Sequence, residues 1–280
     1  MNDNENITVK VTDFLVEIDK ADAIQIWVPS KAKYYSFKQL TFEQYNQFLA
    51  LETQDLDVVT ANYKFYEVLN KVIADNILET INTSLDFTVI DRDAIAIQLR
   101  FNVDDRFSYI IDENTTDISL KEHCSLITTI GNTLFPASSC VSHGSFSLLL
   151  GIPNINQDQL INTEILEYDQ DTEKFPTFLL FAEVIKFIKA VNFVKGTETF
   201  SLPLFEPGKI AESIQICQKL PAALLIQVAN YIEAVQTAAK NITTVEITVP
   251  EIPIDAEGKG RPQFVQKIPI AINANWFTSI

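Results

Sequence analysis

Glycine, histidine and cysteine are all scarce in this chain, with seven Gly, two His and three Cys in 280 residues. So few glycines leave no Gly-rich loop to cradle a phosphate. Neither GxGxxG nor GxxxxGK[ST] occurs, nor a GxSxG elbow, nor an HExxH pair. Basic residues are the minority, 21 against 37 acidic, for a net charge of -16. A surface this acidic repels phosphate backbones and anionic membranes, so no nucleic-acid partner is expected. Long uncharged apolar runs are missing too. The longest apolar stretch, Phe175 to Val194, is interrupted by Glu183, Lys186 and Lys189, and no membrane span is expected. The opening MNDNENITVKV has neither the basic nor the apolar region of a signal peptide, so none is expected. Three cysteines without such a signal fit a reducing compartment and free thiols.

What the chain does have is material for a core: 47% of residues are hydrophobic and 10% aromatic. Its patterns come in runs. Thr8 to Ile18, Ala23 to Val28 and Tyr34 to Leu40 read as extended, with a turn at Pro29-Ser30. Thr41 and Gln44 then form a capping box for a helix to about Leu51. From Thr60 to Glu79, Phe65, Val68, Leu69, Val72, Ile73 and Ile77 recur at helical spacing. A third helix is predicted from Asp91 or Arg92 to Phe101, with Asp91 as its cap. Phe107 to Ile111 and Ile118 to Leu120 read as short strands, in a β-rich region that runs to Leu150. A second helical block starts near Pro176 and carries a stripe of Phe178, Phe181, Ala182, Ile185 and Ile188, ending near Gly196. A turn over Leu204 to Gly208 precedes two further helices, separated by Pro221. Val245 to Val249 alternates by two and pairs, across the linker Glu257 to Pro262, with Phe264 to Ile272 in a long β-ribbon.

Helices and strands segregated in this way predict an α+β fold: two helical blocks, each followed by a β-rich segment, ending in the ribbon. The polar Asn154 to Gln159 and the acidic Glu167 to Glu173 suggest a division near residue 160. Residues 1–160 would hold an extended arm (1–40), helices (41–101) and the β-rich segment (107–150), and residues 161–280 the second helical block and ribbon.

Both histidines and two of the cysteines fall together, as His123-Cys124 and Cys140-Val141-Ser142-His143. Zinc takes four N or S ligands in a tetrahedron, and these four residues form a candidate Cys2His2 site. The adjacent pair would reach one ion only at a bend, because neighbours on a strand face opposite ways. The alternative is that Cys124 and Cys140 are buried in a β core and both histidines are at the surface. A Cys–His nucleophile would further need an activated thiolate and an orienting group. Glu167 to Glu173 spaces carboxylates like a calcium loop but lacks its central Gly and terminal Glu, and reads as a solvated linker. Near the C-terminus, Trp276 and Phe277 either dock into their own domain or anchor a partner, and they are the partner-binding candidates.

One further pattern spans most of the chain. Tyr35 to Thr41 is followed by the Phe65–Ile77 helix, then Leu85, then Asp91-Arg92-Asp93-Ala94-Ile95-Ala96-Ile97-Gln98-Leu99-Arg100. A β-rich segment with cysteines comes next, then a second helical half, and the ribbon ends in Ile270 to Phe277. This order resembles the baseplate hub family of T-even-type contractile-tailed phages. The resemblance implies a structural protein of the virion tail that contacts other tail and baseplate proteins. It also implies a symmetric homo-oligomer and a chain that is not an enzyme. No cofactor is expected, zinc at residues 123–143 being the one candidate. Two other functions remain open from sequence: a tail-assembly chaperone absent from the particle, and a zinc or thiol enzyme centred on residues 123–143.

Overall fold

Thr88 and Asp91 begin the helix around which the chain is built. The Thr88 hydroxyl accepts from the Asp91 N–H at 3.2 Å, and the Asp91 carboxylate accepts from the Thr88 N–H at 2.8 Å. The helix therefore spans Val89–Val103 and starts before Asp91, which sits inside its first turn instead of capping it. From Ile90 to Arg100 every residue except Asp93 is buried, so this helix is core on nearly all sides.

The computed structural model describes residues 22–51, 56–79, 86–111, 114–168, 172–203, 206–249, 251, 260, 262–273 and 276–277. Among them are eight α-helices and ten strands, the strands in four small antiparallel sheets, an α+β fold. The strand expected over Thr8 to Ile18 lies outside the described residues, as does most of the linker expected over Glu257 to Pro262.

The first hairpin pairs β1 (Ile24–Val28) with β2 (Lys33–Phe37) and rests on the central helix. Asp91 accepts from the Ser30 N–H at 2.8 Å and from the Ser30 hydroxyl at 2.5 Å. Gln98 exchanges two 2.9 Å hydrogen bonds with the backbone of Trp27. Helix α1 (Phe42–Leu49) has the expected Thr41/Gln44 capping box. Helix α2 (Val58–Asn76) is capped by Asp57 and buries Phe65, Leu69, Val72 and Ile73, as its periodicity predicts. The central helix is α3. Its C-terminal end is fastened by buried Arg100, which donates to the carbonyls of Asp104 and Arg106 at 3.3 and 3.0 Å.

Strands β3 (Arg106–Ile111) and β4 (Asn114–Ser119) make a second hairpin. Next comes α4 (Lys121–Ile127), where the sequence pattern suggested irregular β structure. Strands β5 (Ser139–His143) and β6 (Phe146–Leu150) lead into α5 (Ile155–Glu167). The polar stretch read as a boundary is the start of this helix, with the Asn154 side chain accepting from the Gln157 N–H at 2.7 Å. Helix α6 (Phe175–Ile185) is shorter than its stripe suggested, because Ile188 opens β7 (Ile188–Lys195). Strand β8 (Glu198–Pro203) pairs with β7, giving the order β5-β6-β7-β8. Helices α7 (Ile210–Lys219) and α8 (Ala222–Lys240) meet at Pro221, and β9 (Thr244–Val249) pairs with β10 (Phe264–Pro269), as expected. The division expected near residue 160 falls inside α5. The largest sheet takes two strands from either side of it, and one hydrophobic core runs through both parts.

Candidate functional site

The four candidate zinc ligands lie on two elements. His123 and Cys124 are on α4, both buried, while Cys140 and His143 are exposed on β5. The His123 Nε2 is 2.5 Å from the Ile242 carbonyl oxygen. An oxygen acceptor at that distance requires the N–H tautomer, so this nitrogen offers no lone pair to a metal. Burial holds the His123 pKa below its ordinary value and pushes the Cys124 thiol up to about 12. A thiol held protonated in this way is not a nucleophile. Among the described residues no group of three or more His, Cys, Asp or Glu is placed to hold a metal ion. The structure therefore does not bring the four residues together as one site. In the acidic run, Asp169-Gln170-Asp171 lies outside the described residues.

Trp276 and Phe277 are only 4% and 0% exposed. Phe277 stacks on Phe48 with ring centroids 4.3 Å apart and lies 6.4 Å from Phe65. Trp276 donates from Nε1 to the Ala96 carbonyl at 3.2 Å and faces Phe107 at 6.0 Å. The pair fills a pocket made by α1, α2, α3 and β3 of its own chain, and so is not free to anchor a partner. This corrects the partner-binding expectation.

One cluster was not expected from sequence. Arg92 on α3 donates from Nη1 to Asp158 Oδ2 on α5 at 2.7 Å, and Lys186, just past α6, reaches Asp158 Oδ1 at 2.9 Å. The Lys186 ammonium also lies 2.7 Å from Asn162 Oδ1 and 2.8 Å from Glu183 Oε1. The Tyr63 hydroxyl donates to the same Glu183 oxygen at 2.5 Å, and the Arg92 guanidinium lies 3.8 Å over the Tyr66 ring. These groups border a cavity of about 220 Å³ that also touches Val89 and Pro153.

Burial alone would raise the Asp158 pKa, but Arg92 and then Lys186 outweigh it and bring it down to about 2. Asp93 behaves in the opposite way. Partial burial, which leaves its side chain 22% exposed, with the Asp158 and Asp91 charges adding to it, pushes its pKa up to about 6 against the pull of Arg92. All three donors of Lys186 are engaged and both oxygens of Asp158 are bridged. Asp158 Oδ2 also accepts from the Asn162 amide at 3.2 Å, and the cluster ties α2, α3, α5 and α6 together.

Several apolar side chains are exposed, Phe42, Leu180, Ile226 and Val265 among them, and the β7–β8 hairpin gathers two on one strand. All six residues of β8 are exposed, and Phe200 and Leu202 keep 52% and 46% of their surface in water. No protein-family model matches this chain, and neither a curated protein nor a solved structure is significantly similar to it. Among the described residues no helix is long and apolar enough to cross a membrane.

Proposed function

We propose that this chain is a structural component of a contractile phage tail, in the baseplate hub, acting through protein–protein contacts during tail assembly and in the virion. The observation that carries the reading is the β7–β8 hairpin, which offers apolar side chains along a wholly exposed strand at the edge of the largest described sheet. The sequence resemblance supports it, since the Asp91–Arg100 segment that contributes to it is the buried helix organising the fold. On this reading its partners are other tail and baseplate proteins together with further copies of itself, and no residue performs covalent chemistry. The net charge of -16 keeps free subunits soluble until they assemble.

Mass spectrometry of purified phage particles tests this directly. A small integer copy number per particle is the expected result. Absence from particles, with abundance in infected cells, would replace the structural role with that of an assembly chaperone.

A further inference from the structure

The direction in which the backbone groups of β8 point follows from its neighbours. The Val194 N–H donates to the Ser145 carbonyl at 2.9 Å, so Val194 and Asn192 turn their backbone groups toward β6. By the alternation of an antiparallel ladder, Val191, Phe193 and Lys195 turn theirs toward β8. Their partners Leu202, Phe200 and Glu198 answer inward. Thr199 and Ser201 are left with N–H and C=O groups facing out along an edge that no described strand pairs with. The turn agrees. Gly196 has φ 64 at the first central position of a two-residue loop, the arrangement in which the flanking pair, Lys195 and Glu198, is hydrogen-bonded.

Side chains along this edge are equally ordered. Phe146, Phe193 and Phe200 are successive cross-strand partners, so three phenyl rings form a row on one face of the sheet. Phe146 and Phe193 are 4.9 Å apart. The next row on the same face is Leu148, Val191 and Leu202, of which the first two are buried and Leu202 is exposed. The apolar face thus continues past the core that covers it and ends in water at Phe200 and Leu202.

We infer that a second copy of this chain docks on the β8 edge, antiparallel, extending the sheet across a two-fold axis at Phe200. This deepens the assembly reading, on which it rests, by naming one contact surface and its occupant. Five registers bring outward-facing groups together, with Glu198, Thr199, Phe200, Ser201 or Leu202 on the axis. With Thr199 there, Ser201 falls opposite the turn residue Thr197, and with Ser201 there, Thr199 falls opposite Pro203, which has no N–H. With Glu198 there, two carboxylates meet head on. With Leu202 there, Pro203, which has no N–H, falls opposite Ser201 of the other copy. With Phe200 there, Thr199 and Ser201 of each copy exchange backbone hydrogen bonds, Glu198 lies opposite Leu202, and the phenyl row runs unbroken through both copies. Charge favours the same surface. The hairpin holds Lys189, Lys195 and Glu198, a net of +1 on a chain of net charge -16, so two copies meet there with little repulsion.

Sedimentation of the full chain over a concentration series tests the inference. A reversible dimer is expected. Phe200→Asp places like charges opposite each other, and Ser201→Pro removes an outward N–H that β7 does not use. Each should raise the dimer Kd by about tenfold or more, equivalent to ~1.4 kcal/mol, with an unchanged circular dichroism spectrum. In a Cys140→Ser background, Phe200→Cys should form a disulfide-linked dimer on mild oxidation, and Leu180→Cys, exposed but off the edge, should not. A chain that stays monomeric throughout overturns the inference. So does a dimer that neither variant weakens, or equal cross-linking by the two cysteines. Monomers in solution with stoichiometric presence in particles would remove this contact and leave the assembly reading standing. A dimer weakened by both variants but absent from particles would do the reverse.

Discussion

Asp158 is the residue on which four helices converge, and its chemistry is all electrostatic. Its carboxylate faces two cations inside the fold, Arg92 and Lys186. Removing its charge leaves both without their shared partner, and breaking a buried pair in this way costs about 3–5 kcal/mol. Asp158→Asn should therefore lower the urea midpoint at neutral pH by a corresponding amount, with Tyr63→Phe causing a much smaller loss. The pH dependence has two opposite signs. The Asp158 pKa is lowered to about 2, so its contribution is present above the unfolded value near 3.8 and is lost as pH falls toward 2. The Asp93 pKa is raised to about 6, so its contribution is present below 3.8 and is lost as pH rises through 6. Asp93→Asn should flatten stability between those limits and raise it at pH 7 by on the order of 2 kcal/mol. An unchanged slope of unfolding free energy against pH over that range would refute the assignment to Asp93.

At the scale of the element, capping decides where the helices begin. Thr88 does for α3 what Thr41 does for α1, and Thr88→Ala should cost about 1 kcal/mol in thermal unfolding. Asp91→Ala should cost more, because Asp91 also holds Ser30 and through it the first hairpin. Elements with such signals were legible in the sequence: α1 from Thr41 and Gln44, α2 from its apolar stripe, α7 and α8 from Pro221 between them, and β9 from strict alternation. Those without them were not. Helix α4 has only seven residues, about two turns, and no side-chain cap. Helix α5 mixes Asp158 and Asn162 into its buried face, which hides the stripe of Ile155, Ile161 and Ile165. The helical spacing of Phe178 to Ile185 continues by coincidence into Ile188, where β-branched residues start a strand. The buried charge cluster was illegible for a related reason. Arg92 and Asp158 are 66 residues apart and meet only once α3 and α5 pack. The histidines and cysteines were conspicuous because they are close in sequence, yet α4 and β5 hold them apart.

At the scale of the whole molecule, the chain closes on itself. The Trp276–Ala96 hydrogen bond spans 180 residues and brings the end of the ribbon segment into the first helical block. Phe277 lies against Phe48 and Phe65, on the two helices nearest the start of the described chain. The β5-β6-β7-β8 sheet couples the two halves a second time. Long-range ties of this kind make the parts cooperative, because neither half completes its core without side chains from the other. Phe277→Ala opens a cavity in the first helical block and should cost about 3–5 kcal/mol. If the halves are coupled, that loss moves the entire calorimetric transition to lower temperature as one peak. Two independent halves would give two transitions, of which the substitution shifts only the one containing α1 and α2. The single shifted peak is the expected result, because the ring removed belongs by sequence to the last residues of the chain and by packing to the first helices.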